Sequence, residues 1–169
     1  FSKPPVTEFP EDQEYLQDDP MGTGITLEQQ AKSVLSDLLS MGRAGLWVDY
    51  PSTIDGATVE QVSNGEIRPV IFNYKPEDII NWRVQRVGSR MLTTLVVLAE
   101  EYIAKDDGFD VFKQVQHREL RLDENGEYCV RIWRPGTRAM TTNGFVYPLD
   151  GNGKRFREIP FVFVGIENN

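Results

Sequence analysis

Five arginines, Arg118, Arg121, Arg131, Arg134 and Arg138, fall between residues 118 and 138, interleaved with Tyr128 and Trp133. Guanidinium groups beside aromatic rings suit phosphate contacts or a protein interface. In an antiparallel hairpin these arginines divide between the two faces, and Glu119, Glu124 and Glu127 offset them. The pattern therefore favours cross-strand or intersubunit pairing over a nucleic-acid patch. Arg131 and Arg134 are the candidate intersubunit contacts.

The remaining reactive types are sparse. His117 is the single histidine and could serve as a general base near neutral pH. Its place on a strand beside Arg118 and Arg121, across from Trp133, reads instead as packing on the more polar face of a sheet. Cys129, the single cysteine, excludes an internal disulfide and reads as a small buried apolar residue. Glu100-Glu101 and Asp106-Asp107 could supply acid and base partners or oxygen ligands. Neighbours on a strand point to opposite faces, so neither pair converges on one atom, and solvated charge is the expected reading. Asp123-Glu124-Asn125-Gly126 opens like a calcium loop but lacks the closing glutamate, which leaves a hairpin turn. There is no G-x-G-x-x-G, Walker loop, G-x-S-x-G or H-E-x-x-H pattern. The glycine pairs in Gly22-Thr23-Gly24 and Gly151-Asn152-Gly153 are short turns. No catalytic residue, cofactor, metal site or small-molecule substrate is assigned on this basis.

Composition narrows the classes further. The 169 residues are 40% hydrophobic and 26% charged, enough for one ordinary core. A net charge of −8 opposes nonspecific coating of nucleic acid. The longest apolar runs, such as Leu95 to Ala99, fall far short of the ~20 residues that span a bilayer, so a soluble protein without a membrane partner is expected. The sequence opens on Phe1 with no cationic, apolar leader and reads as part of a longer chain.

The elements that must position these residues are legible in part. Residues 1–25 combine Pro4, Pro5, Pro10 and Pro20 with acidic side chains and read as an extended acidic arm. From Phe1 to Asp37 there are eight acidic and two basic residues. Residues 26–169 read as a single α+β domain. Thr26 and Gln29 form a capping box, Leu27, Ala31, Val34, Leu35, Leu38 and Leu39 make one apolar stripe, and Gly42 ends the helix. Ala44–Tyr50 reads as a strand stopped by Pro51, Ala57–Gly65 is ambiguous, and Val70–Tyr74 is a strand followed by Pro76 at the start of a helical turn. Ile80–Val87 and Met91–Ile103 read as strands joined at Gly88-Ser89, with a helical alternative over Val97–Lys105. Val115–Arg134 is a hairpin. A two-residue Asn-Gly loop would set Leu120 against Arg131. A three-residue loop with left-handed Gly126 sets Leu122 against Tyr128, Leu120 against Val130 and Glu119 against Arg131, and is preferred. Arg138–Gly144 reads as a polar loop, Asp150–Gly153 as a turn, and Ile159–Ile166 as a strand at an edge or beginning only after Pro160. The expected architecture is a mainly antiparallel sheet with one main amphipathic helix packed on it.

Several segments together resemble a known family. These are Phe1-Ser2-Lys3-Pro4-Pro5, Gly42-Arg43-Ala44-Gly45-Leu46-Trp47-Val48-Asp49-Tyr50-Pro51, Arg68-Pro69 with Tyr74, and Ile79-Ile80-Asn81-Trp82. His117-Arg118-Glu119-Leu120, Tyr128-Cys129-Val130 and Glu158-Ile159-Pro160-Phe161-Val162 continue the likeness. The chain resembles a branch of tailed-bacteriophage portal proteins, over the wing-like region that precedes the stem helices. The resemblance implies a noncatalytic subunit of a ring, typically about twelve copies with closed rotational symmetry, at one capsid vertex of the virion. DNA is packaged and ejected through such a ring, and its partners are further copies of itself, the capsid protein, the terminase motor and DNA. It also implies synthesis in the bacterial cytoplasm, from a phage or prophage. Further expectations follow. Asp49-Tyr50-Pro51 is a strand end, and the acidic arm of one subunit lies on the arginine-bearing hairpin of the next. Two alternatives stay open: a noncatalytic phage tail or surface binding module, and a hydrolase using His117 with Glu119 or Asp123.

Overall fold

The computed structural model describes residues 8–50, 68–136, 140–142, 144–150 and 152–165. The main helix, α2 (Leu27–Met41), starts where its sequence demands. Gln29 N–H donates to Thr26 Oγ1 at 3.3 Å and Thr26 N–H donates to Gln29 Oε1 at 3.0 Å, closing the capping box. The helix stops at Gly42, whose φ of 79° is left-handed and whose N–H donates to the Leu38 carbonyl. Its packing is thinner than the apolar stripe suggests. Gln30 and Val34 are buried, whereas Leu35 and Leu39 face solvent. The helix touches one side of a small sheet, too narrow to cover the whole stripe.

That sheet has the order β2-β1-β8, built from β1 (Arg43–Asp49), β2 (Val70–Tyr74) and β8 (Phe161–Gly165), all antiparallel. As a proline cannot donate to a ladder, β8 begins directly after Pro160 and takes an edge position. Gly45 is required by close approach: a Cβ there would collide with the Phe161 ring and lie 2.9 Å from Ile79. Pro76–Asp78 forms the expected helical turn with Pro76 at its start.

The second sheet is a meander of order β3-β4-β5-β6-β7. Its strands are β3 (Ile79–Val87), β4 (Arg90–Asp106), β5 (Val111–Leu122), β6 (Tyr128–Pro135) and β7 (Met140–Thr142). The strand reading of the Met91–Ile103 segment holds over the helical alternative. The preferred hairpin register also holds, with Leu122 opposite Tyr128, Leu120 opposite Val130 and Glu119 opposite Arg131. Gly126 sits at φ 71°, in the left-handed region the three-residue loop requires.

The two sheets share one core of Trp47, Ile79, Val96, Leu98, Leu120, Tyr128, Val130, Ile159 and Phe161. Trp47 Nε1–H donates to the Tyr128 hydroxyl at 3.1 Å across that core. The fold is thus α+β and mostly antiparallel, with two sheets where one was expected. Among the described residues no helix is long and apolar enough to cross a membrane.

Two local expectations need correction. The segment Arg138–Gly144, read as a polar loop, contains β7, which pairs with β6 from Trp133↔Thr142 to Pro135↔Met140. Its threonines suit an edge ladder that polarity alone concealed. The described part of the acidic arm is also not extended. It forms a 3-10 turn at Glu11–Gln13 and the single helical turn α1 (Tyr15–Asp18), then folds onto β2. Tyr15 Oη donates to the Pro69 carbonyl at 2.9 Å, Arg68 pairs with Asp19 at 3.0 Å, and Ile71 N–H donates to the Pro20 carbonyl at 2.8 Å. Asp19 also accepts from the Thr23 and Gly24 amides, and these backbone donors hold its carboxyl below the usual range. The prolines prevent a long helix without preventing docking. The ambiguous segment Ala57–Gly65 lies outside the described residues.

Candidate functional site

The arginine-rich hairpin resolves into two hubs on opposite faces of the five-stranded sheet. Glu119 centres the outer one. Its Oε2 accepts from Arg131 Nε at 3.0 Å, Arg131 Nη2 at 2.7 Å and Trp133 Nε1 at 2.8 Å, while Oε1 accepts from Arg121 Nη1 at 3.2 Å. The Arg131 guanidinium lies 4.3 Å from the Trp133 ring centroid and 4.1 Å from that of Phe145. Burial alone would raise the Glu119 pKa, but the hydrogen bonds from Trp133 and Arg131 and the charges of Arg131 and Arg121 prevail and lower it.

Glu100 centres the inner hub, at the seam between the sheets. Its Oε1 accepts from Tyr74 Oη and from Arg118 Nε, both at 2.7 Å, and its Oε2 accepts from Gln116 Nε2 at 3.0 Å. Arg118 lies over the Trp47 ring, and Gln116 in turn accepts from Arg134 Nε at 2.9 Å. Here too burial opposes ionisation of Glu100, yet the Arg118, Tyr74 and Gln116 donors leave its pKa lowered. Asp49, beside this hub, is treated differently. Burial lifts its pKa from 3.8 to about 6, with the Glu100 charge adding to the rise and Arg118 opposing it.

The reading of Glu100-Glu101 as solvated charge therefore holds for only one member. Glu101 is exposed and pairs with Lys113 at 3.2 Å, whereas the Glu100 side chain is 15% exposed. The signal was present in the alternation: Val96, Leu98 and Glu100 share the face that packs on the small sheet.

Of the two candidate contact residues, Arg131 is committed within its own chain, its side chain 19% exposed and held by Glu119. Arg134 is exposed, with its guanidinium 4.7 Å from the Tyr102 ring centroid as well as bonded to Gln116. Arg138 lies outside the described residues. The described part of the arm stays on its own β2, so the proposed arm-to-hairpin contact between subunits has no support in residues 8–25.

His117 stands opposite Trp133, as the register required. It does not line the shallow depression of about 240 Å³ beside Arg83, Thr94, Leu95, Glu119 and Arg121. Asp123 is occupied in the β5–β6 turn, accepting from the Asn125 and Glu127 amides and from Tyr147 Oη. Burial pushes the Cys129 thiol up to about 11, which keeps it in the unreactive thiol form at neutral pH. Among the described residues no group of three or more His, Cys, Asp or Glu side chains could hold a metal ion.

Contact-forming surface lies elsewhere. β3 pairs with β4 only as far as Leu98, and β6 reaches β5 only from His117 onward. Beyond those points β4 and β5 continue as a two-stranded ribbon over residues 100–116, an element that sequence reasoning missed because propensity does not show where neighbours end. The ribbon exposes Ile103, Val111, Phe112 and Val115, and Phe109 at its tip is 98% exposed. At the opposite end of β4, the edge strand β3 exposes Val84 and Val87, and Met91 of β4 is exposed beside them.

The Gly42-to-Pro51 motif occupies the helix stop and the central strand of the small sheet, with Ala44 and Trp47 buried. Comparison with protein-family models and with curated proteins finds no match for this chain.

Proposed function

We propose that this chain is a noncatalytic structural segment of a phage portal, contributing to the ring at the capsid vertex through which DNA is packaged and ejected. The phage assignment rests on the sequence resemblance, centred on Gly42–Pro51. The assembly role is carried by the projecting β4–β5 ribbon, which presents a row of apolar side chains and two strand edges outside the core. Exposed apolar strands of this kind are liabilities in a solitary protein and interfaces in an assembled one. The side chains with chemical potential support the same reading: the carboxylates of Glu119 and Glu100 are saturated by arginine, tyrosine, tryptophan and glutamine donors. Such hubs hold a scaffold's shape.

The test uses the complete gene product. Mass spectrometry of purified virus particles should detect it, immunogold labelling should mark one vertex per capsid, and negative-stain images of the purified product should show rings. A product absent from particles, or distributed over the whole shell, would overturn the proposal.

A further inference from the structure

On the face of the five-stranded sheet turned away from the small sheet, the pairs Arg83↔Leu95 and Leu95↔Arg121 make one lateral row across β3, β4 and β5. Two arginines therefore flank Leu95, their Cα atoms about 10 Å apart at two strand spacings. From Arg83 to Val84 the partner on β4 jumps from Leu95 to Thr93, which leaves Thr94 as the extra residue of a β-bulge. Its hydroxyl donates to the Arg83 carbonyl at 3.4 Å. At this irregularity lies the hollow of about 240 Å³, lined by both arginines together with Gln85, Leu95, Glu119 and Leu122. Its donors are unspent. Arg83 is exposed and has no ion pair among the described residues. Arg121 gives Glu119 only its Nη1, at 3.2 Å, and its side chain is 42% exposed. Glu119 does not cancel both charges, because Arg131 already holds its other oxygen at 2.7 Å. Three arginines against one carboxylate leave two positive charges here, in a chain whose net charge is −8.

We infer that this hollow is a binding site for the phosphate dianion of a small phosphomonoester, gripped between the Arg83 and Arg121 guanidinium groups, with Gln85 as a further amide donor and Leu95 and Leu122 against the organic substituent. Planar guanidinium forks present paired N–H donors that match phosphate oxygens. Charge selects the ligand: a dianion balances the two positive charges, whereas a carboxylate or a phosphodiester balances only one. Size selects it further. Drug-sized ligands fill roughly 300–1,000 Å³, so a phosphate with a short substituent suits this smaller hollow. A polynucleotide is disfavoured, since each backbone phosphate carries a single charge and the acidic chain as a whole repels the polyanion. The inference goes beyond the phage assignment and does not depend on it.

The experiment titrates the full chain with propyl phosphate and follows the arginine Nε–H signals by NMR. Arg83 and Arg121 should shift saturably and together, while Arg86, on the opposite face of β3, stays still. Dimethyl phosphate, a monoanionic diester, should bind about tenfold more weakly. Inorganic phosphate, lacking the apolar substituent, should bind a few-fold more weakly. Because the second phosphate pKa is about 6, propyl phosphate should lose affinity as pH falls through that value and the ligand becomes a monoanion. Arg83→Gln and Arg121→Gln should each weaken binding about tenfold, and Arg83→Gln, at an exposed side chain, should leave the melting temperature unchanged. No saturable shift up to about 50 mM propyl phosphate, equal shifts at Arg86, or affinity indifferent to Arg83→Gln would overturn the site. Dimethyl phosphate, inorganic phosphate or a single-stranded oligonucleotide binding as tightly as propyl phosphate would overturn the phosphomonoester assignment. The two hypotheses fail separately: saturable binding by a protein absent from virus particles sinks only the portal reading, and particle-borne rings that ignore propyl phosphate sink only this site.

Discussion

The two halves of the β4–β5 hairpin both carry apolar residues and meet opposite fates. In the rooted half, Val96, Leu98 and Leu120 are fully buried and Glu100 and Glu119 are saturated with donors. In the projecting half, Ile103, Phe112 and Val115 are as apolar but remain in water. β3 and β6 flank the first half and the small sheet covers its inner face, whereas Ile103 and Val115 stand on the other face, beyond those neighbours. Burial thus depends on what stands beside a strand and on which face its apolar residues take, and one hairpin builds a core at its root and leaves a contact surface beyond it.

Substitutions in the rooted half should separate the two most clearly. Glu119→Ala strands Arg131 beneath Phe145 and leaves Trp133 Nε1 without its acceptor. Removing one partner of a buried pair costs roughly 3 kcal/mol or more, so a large fall in urea midpoint is expected. A loss under about 0.5 kcal/mol, the size typical of surface changes, would show that the outer hub is no anchor.

Asp49→Asn should act in the opposite direction. A carboxyl whose pKa is raised from 3.8 to about 6 in the folded state binds its proton more tightly there than when unfolded. Its ionisation therefore opposes folding fully above about pH 6, and the penalty fades as pH falls toward 3.8. At 1.36 kcal/mol per pKa unit, discounted for partial exposure, Asp49→Asn should stabilise the chain by about 1–2 kcal/mol at pH 7.5 and by little at pH 4. Parallel stability curves for the two proteins across that range would refute the burial of this carboxylate.

The smallest effect belongs to the turn that sets the hairpin register. Nothing lies within 4 Å of a Cβ added at Gly126, so the cost of Gly126→Ala is that of φ 71° alone, about 1 kcal/mol. Thermal denaturation should register a fall of a few degrees. An unchanged melting temperature would mean that the register is held by the cross-strand pairs without the turn.

Much of the local structure was legible because its determinants are short-range. Thr26 and Gln29 mark the helix start, Gly42 its end, Pro160 the first residue β8 can use, and the match of Leu120 with Val130 the hairpin register. Glu100 was misread because a strand pattern shows alternation without saying which alternate face another sheet will cover. The arm and β7 were misread for a related reason: proline and polar content describe local preference, and docking onto β2 or β6 overrides it. Arg131 and Arg134, three apart on β6, fall on opposite faces as the alternation required, one held by Glu119 and the other reaching Gln116 and Tyr102.

The amino-acid sequence by itself determined the helix limits, the turn geometry, the hairpin register and the α+β class, since each follows from backbone sterics or from neighbours a few residues apart. Tertiary structure alone decided that two sheets enclose the core, that Asp49 and Glu100 are withdrawn from solvent, and that residues 100–116 project beyond their flanking strands. Those outcomes depend on which distant surfaces meet, and desolvation is a property of the meeting, carried by no residue on its own.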